Sequence, residues 1–180
     1  MPRYTLFHPD TEIIGQVILD FETAVVTHKF LPLFEKHGLT NINIDTWYPA
    51  QPWLDLLNEM LESGSEFLDL VSIGIRQLEL AVMPPEFATK SLTEILCAMD
   101  DAYRLNYRGT DPGGIKTEVI DNHHVKMTVR NFEPDELWYG NVVGMMRRFA
   151  PKHTSFTVTY APDVVRRGLG GEVTVFLISW

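Results

Sequence analysis

The sequence predicts an α+β fold, with a helical first half followed by a four-stranded antiparallel sheet in the order strand, strand, helix, strand, strand. Three observations carry this expectation. Up to about residue 105, apolar residues recur at steps of three and four, the period of amphipathic helices. From Ile115 onward the period drops to two, as in strands that bury one face. Between Asp135 and Phe149 the helical period returns once, separating two pairs of strands. A chain of 180 residues buries roughly 70% of its unfolded surface without a metal or disulfide staple. One domain over 1–180 is therefore expected, mainly helical over 1–114 and ββαββ over 115–180.

Pro2, Pro9 and Asp10 break any period in residues 1 to 11, which read as an irregular arm. With Thr11 as its cap, a helix is expected from Ile13 to about Phe30, where Ile13, Ile14, Val17, Ile18, Phe21, Ala24 and Val25 form a stripe and Gly15 costs little. LPLFEKHG follows as a short segment whose Gly38 suits a helix end, with His28 and His37 on polar faces. Trp47 to Trp53, WYPAQPW, reads as a packed turn leading into a helix over Leu54 to Leu61. A helix over Glu66 to Leu80 carries apolar residues nearly all round and should be buried on most sides, with Met83-Pro84-Pro85 closing it.

Residues 91 to 130 organise the rest. Ser91 and Glu94 form a capping-box pattern that starts a helix near Leu92. Leu92, Ile95, Leu96, Met99 and Tyr103 give one long helix an apolar stripe, while Asp100, Asp101 and Arg104 face outward. Cys97, the lone cysteine, sits among Ile95, Leu96 and Met99 and reads as a buried thiol serving as a small hydrophobe. Gly109 and Asp111-Pro112-Gly113-Gly114 end the helix. A hairpin follows, with Ile115, Thr117 and Val119 alternating on one strand and Val125, Met127 and Val129 on the next. His123 and His124 lie in its turn. Neighbouring strand residues point to opposite faces, so solvation is expected rather than a shared metal.

Pro134, Asp135 and Glu136 suit the first turn of the next helix, and Arg147 and Arg148 complement the dipole at its end. Phe156, Val158 and Tyr160 alternate on a third strand, and a GLGG loop opens the last, Glu172 to Trp180. That glycine cluster lacks the strand-to-helix context of a phosphate loop.

A formal charge of −9 opposes broad nucleic-acid binding, which rests on clustered Lys and Arg. The chain shows no basic-then-apolar leader and no apolar run near the roughly 20 residues that span a bilayer. A cytoplasmic location is the expectation. No Gly-x-Ser-x-Gly, Cys-x-x-Cys, His-Glu-x-x-His or nucleotide loop occurs, and the acids show no spacing that pairs a general acid with a base. The expectation is a protein that is not an enzyme.

The order of elements, together with AMDDAYRLNYRGTDPGG (Ala98 to Gly114) and LWYGNVVGMMRRF (Leu137 to Phe149), resembles the haem nitric-oxide/oxygen-binding sensor domains. Their relatives are the 4-vinyl-reductase-type ligand-binding domains and transport-protein-particle subunits. IIGQVILDF and WYPAQPWLDLLNEML extend the likeness into the first half, so that it covers most of the chain. The resemblance implies a sensory, ligand-binding domain that signals through a partner protein or a homodimer. By it, the proximal haem histidine falls on Tyr103, and the propionate-binding Tyr-x-Ser-x-Arg motif falls on Lys126, Thr128 and Arg130, where only the arginine matches. These departures favour a small apolar ligand over His-ligated haem. Met99, Tyr103, Trp138, Met145 and Met146 are the expected lining and Arg130 the polar anchor. Two alternatives stand beside this reading. One is a ligand-free interaction module that dimerises through its N-terminal helices, and the other is a haem-based gas sensor with Tyr103 as the iron ligand.

Overall fold

The computed structural model describes residues 4–25, 30–64, 68–83 and 85–180. The expected α+β architecture is present, with helices in the first half and an antiparallel sheet in the second. In chain order the elements are β1 (Glu12–Ile14), α1 (Gly15–Ala24), α2 (Leu31–Lys36), β2 (Trp47–Pro49), α3 (Ala50–Glu62) and α4 (Leu70–Leu80). After a 3-10 turn at Pro85–Thr89 come α5 (Leu92–Cys97), α6 (Met99–Arg104), β3 (Tyr107–Arg108), β4 (Gly114–Asp121), β5 (His124–Arg130), α7 (Asp135–Phe149), β6 (Thr157–Tyr160) and β7 (Thr174–Ser179).

The helical half contains a small sheet that periodicity did not predict, in the order β2-β1-β3. Ile13 pairs with Tyr48 on one side and Tyr107 on the other. Strands of two or three residues are too short to show a twofold alternation, so Ile13 and Ile14 read as the start of a helix and Trp47 to Pro49 as a turn. The first helix instead begins at Gly15, where an added Cβ would lie 2.0 Å from the Asn43 carbonyl oxygen. α3 starts four residues earlier than expected. Pro52 is tolerated in the first turn, because the amide it lacks would have no partner inside the helix there.

α4 is one-sided rather than buried all round, with Leu70, Ile73, Gly74, Gln77 and Leu78 inward. Its expected beginning at Glu66 and Phe67 lies outside the described residues, as does His28. α4 packs closely on α7 because glycine stands at the crossing. A Cβ on Gly74 would meet the Leu137 carbonyl at 2.3 Å, and one on Gly140 the Val71 carbonyl at 2.2 Å.

The capping box forms, with Ser91 and Glu94 each satisfying the other's backbone N–H. The long helix does not. It breaks at Ala98 (φ −84°, ψ 5°), whose N–H is shared between the carbonyls of Glu94 and Ile95 in a local 3-10 tightening. Cys97 belongs to α5 itself, where helical spacing turns it away from the Leu92, Ile95 and Leu96 stripe, and its thiol is exposed rather than buried.

The main sheet has the order β4-β5-β7-β6, all antiparallel. Val125 faces Ile178 and Met127 faces Phe176 across β5 and β7, and all four are buried. α5 and α6 lie against β4, while Tyr139 of α7 donates to the Val158 carbonyl on β6. The last strand is Thr174–Ser179, shorter than expected at both ends. His124 pairs with Asp121 at the exposed hairpin turn, and His37 pairs with Glu59.

Candidate functional site

The site is built where α6, the β5–α7 connector and the inner ends of α1, α4 and α7 meet. α6 carries Met99 and Tyr103. Tyr103 is 2% exposed, and its hydroxyl donates to the Pro112 carbonyl at 2.5 Å while accepting from Asn131 Nδ2 at 3.0 Å. The glycine–proline break after the helix therefore also supplies the acceptor that holds this phenol. The Tyr103 ring stacks on Tyr107 at 4.5 Å between centroids and meets Trp138 at 5.8 Å.

Beside these rings lies a buried carboxylate. Glu133 is 2% exposed. Its Oε1 accepts from Trp53 Nε1 at 2.7 Å and from the Tyr107 hydroxyl at 2.9 Å, and its Oε2 accepts from Trp138 Nε1 at 3.0 Å. Asn131 turns the connector by accepting the Glu133 N–H, so one asparagine ties the carboxylate to Tyr103. No cation joins the cluster in these bonds. Burial raises the Glu133 carboxyl above its usual range, opposed by the donors of Trp53, Tyr107 and Trp138. Burial also raises the Tyr103 hydroxyl beyond the ordinary phenol range, and the Glu133 charge adds to the shift. Burial and the Glu133 charge raise the Tyr107 hydroxyl in the same way. These phenols stay protonated.

The same rings border a cavity of about 150 Å³. Tyr103, Tyr107, Trp138, Met99 and Met83 form much of its wall, with Gln16, Asp20, Gln77, Asn106 and Asn141 as polar neighbours. Of the six residues expected to form a site, Met99, Tyr103 and Trp138 line this cavity. Met145 and Met146 are 1% and 0% exposed and pack into the core away from it. Arg130 does not line the cavity; it is paired to Asp111 through two bonds of 2.6 and 2.9 Å and lies 3.8 Å over the Phe7 ring.

Sequence reasoning missed Glu133, Trp53, Asn131 and Tyr107, and also Asp20 and Gln77. The only local sign was Glu133 between Phe132 and Pro134, a short connector that must enter the core before α7 begins. Among the described residues, no three His, Cys, Asp or Glu side chains gather as a metal site, and no helix is long and apolar enough to cross a membrane.

No protein-family model and no curated protein matches the sequence. Solved structures do match the fold. An H-NOX protein from S. oneidensis in the Fe(II) ligation state superposes with a TM-score of 0.65 at 14% identity, over 93% of this chain and 95% of that one. A mutant Fe(II) unliganded H-NOX protein from K. algicida gives 0.64 at 14% identity, over 93% and 96%. A structure that probes haem distortion in the H-NOX family gives 0.69 at 11% identity, over 93% and 95%. At these identities the likeness establishes that the chain has the H-NOX fold, from the first helices to the last strand.

Proposed function

We propose that this chain is a non-catalytic, ligand-binding sensory domain that holds a small, largely apolar ligand in the cavity beside Tyr103, in place of haem. The observation that carries the reading is the cavity itself, walled in large part by aromatic and methionine side chains, in a fold shared with H-NOX proteins solved in Fe(II) states. At about 150 Å³ it is smaller than the ~300–1,000 Å³ usual for cofactor sites. It matches in size an apolar cavity that admits one benzene-sized ring.

The residues present do not fit haem. The Tyr103 oxygen is already bonded to Pro112 and Asn131, and burial holds its proton. Arg130 and Lys126, where the resemblance placed propionate contacts, are paired to Asp111 and Glu118. The interaction-module alternative called for an apolar face on the N-terminal helices. Val17, Ile18, Phe21 and Ala24 of α1 are instead buried in the chain's own core.

The test is an absorption spectrum of protein expressed with a haem precursor and after hemin addition to the apo form, with a titration of benzyl alcohol followed at the Trp138 indole N–H by NMR. The expected result is no stoichiometric Soret band and a saturable shift of the indole resonance. A sharp Soret band that disappears in Tyr103→Phe would overturn the reading in favour of a tyrosine-ligated haem sensor.

A further inference from the structure

The polar lining of the cavity is acidic or neutral. No Lys, Arg or His is among the residues that line it. Asp20, on the wall contributed by α1, accepts one hydrogen bond, from Gln16 Nε2 at 2.6 Å, and no cation pairs with it among the described residues. Gln77, 8% exposed, donates through Nε2 to the Val17 carbonyl at 3.3 Å. Because only the amide nitrogen can face a carbonyl, this bond settles the orientation of the side chain. Oε1 is then left as a buried acceptor without a partner among the described residues. The carbonyl is out of a ligand's reach, but the half-buried Asp20 carboxylate on the cavity wall costs stability unless something supplies donors and positive charge.

The remaining wall suits such a donor. Tyr103, Tyr107 and Trp138 are the ring systems that attract cations most readily, alongside the soft side chains of Met83 and Met99. The exposed lining residues are Val82, at 85%, and Leu105, at 63%. They mark an apolar mouth.

From this arrangement we infer that the ligand is a small organic cation, an ammonium group on an apolar body about the size of one aromatic ring, with Asp20 as its counter-ion. The inference rests on the reading of the cavity as a ligand site and adds the charge of what it takes. Burial raises the Asp20 carboxyl above its ordinary range while the Gln16 amide opposes the shift, as expected of an acid that lacks its partner.

Benzylammonium and benzyl alcohol separate the two claims, because they share a ring and differ in charge. Each is titrated into wild type, Asp20→Asn and the cavity-filling Ala102→Leu at neutral pH, with circular dichroism confirming that each variant is folded. Benzylammonium should bind wild type about tenfold more tightly than the alcohol. Asp20→Asn should bring the two probes to within about twofold by removing the counter-ion while keeping the shape. Ala102→Leu should weaken both. Equal binding of the probes to wild type overturns the cation inference and leaves the apolar ligand site standing. A preference that survives Asp20→Asn overturns the assignment of the charge to Asp20, and hence the inference. Failure of both probes to bind overturns the inference together with the reading it rests on. Should Asp20→Asn fail to fold, the contrast between the two probes on wild type still decides the matter.

Discussion

Two polar regions adjoin the same rings, Tyr107 and Trp138, with Tyr103 stacked beside them. In one, Glu133 is almost wholly buried, and its two oxygens take hydrogen bonds from Trp53, Tyr107 and Trp138. In the other, Asp20 takes one hydrogen bond from its own helix, and Gln77 leaves an acceptor unused. The burial penalty is larger for Glu133, yet that carboxylate has its donors. A buried polar group with all its partners rigidifies a core, whereas one that lacks them carries an uncompensated cost. Both carboxylates stand near aromatics, so residue type does not distinguish them; the donors within reach do, three for Glu133 and one for Asp20.

The strongest way to break this contrast is to remove each acid in turn. Glu133→Ala strands two indole N–H groups and a phenol and leaves a void, so it should cost ~4 kcal/mol in urea unfolding. Asp20→Asn removes a charge that has no cation, and its stability should stay within ~1 kcal/mol of wild type, on the side of gain. If the two substitutions cost the same, the distinction between a satisfied core and an unsatisfied site fails.

A gentler probe is pH. The Glu133 carboxyl is raised above its ordinary value of 4.5, so the folded form holds its proton more firmly than the unfolded chain does. Its contribution to stability is complete below 4.5 and is lost as pH rises through the folded value. Asp10 has the opposite sign. Its exposed carboxylate is held by the Thr110 hydroxyl and amide and lies at about 2 rather than 3.8. The stability it lends is present above 3.8 and is lost as pH falls through about 2. Unfolding curves for Asp10→Asn should therefore lose only a small part of their acid limb, the smallest effect of the series. A slope of the same sign for both groups would contradict the burial assigned to Glu133.

Much of the scaffold could be read locally. The capping box at Ser91 and Glu94 is a four-residue pattern, and the hairpin from Gly114 to Arg130 follows from alternation around a short turn. The Asp100–Arg104 pair needed only helical spacing, and forms at 3.2 Å. The site was legible in part. Met99, Tyr103 and Trp138 were expected at a cavity and line one, because they sit on the inward stripes of α6 and α7. Cys97 shows the limit of such reasoning. Ile95 and Leu96 are buried, but residues one and two apart on a helix do not share a face, and the thiol lies outside.

By itself the sequence determined most of the helices and the four strands of the main sheet, because periodicity is a property of neighbours. The choice of partners belonged to the tertiary structure alone. Trp53 meets Glu133 across 80 positions, and Tyr107 meets it across 26. The three short strands pair only once distant segments have closed. A glutamate in a connector carries no local mark that it will be buried, and an aspartate on a helix none that it will face a cavity without a cation. Those outcomes depend on which donors the fold brings within hydrogen-bond reach, and hydrogen bonds act over a few ångströms of space whatever the separation along the chain.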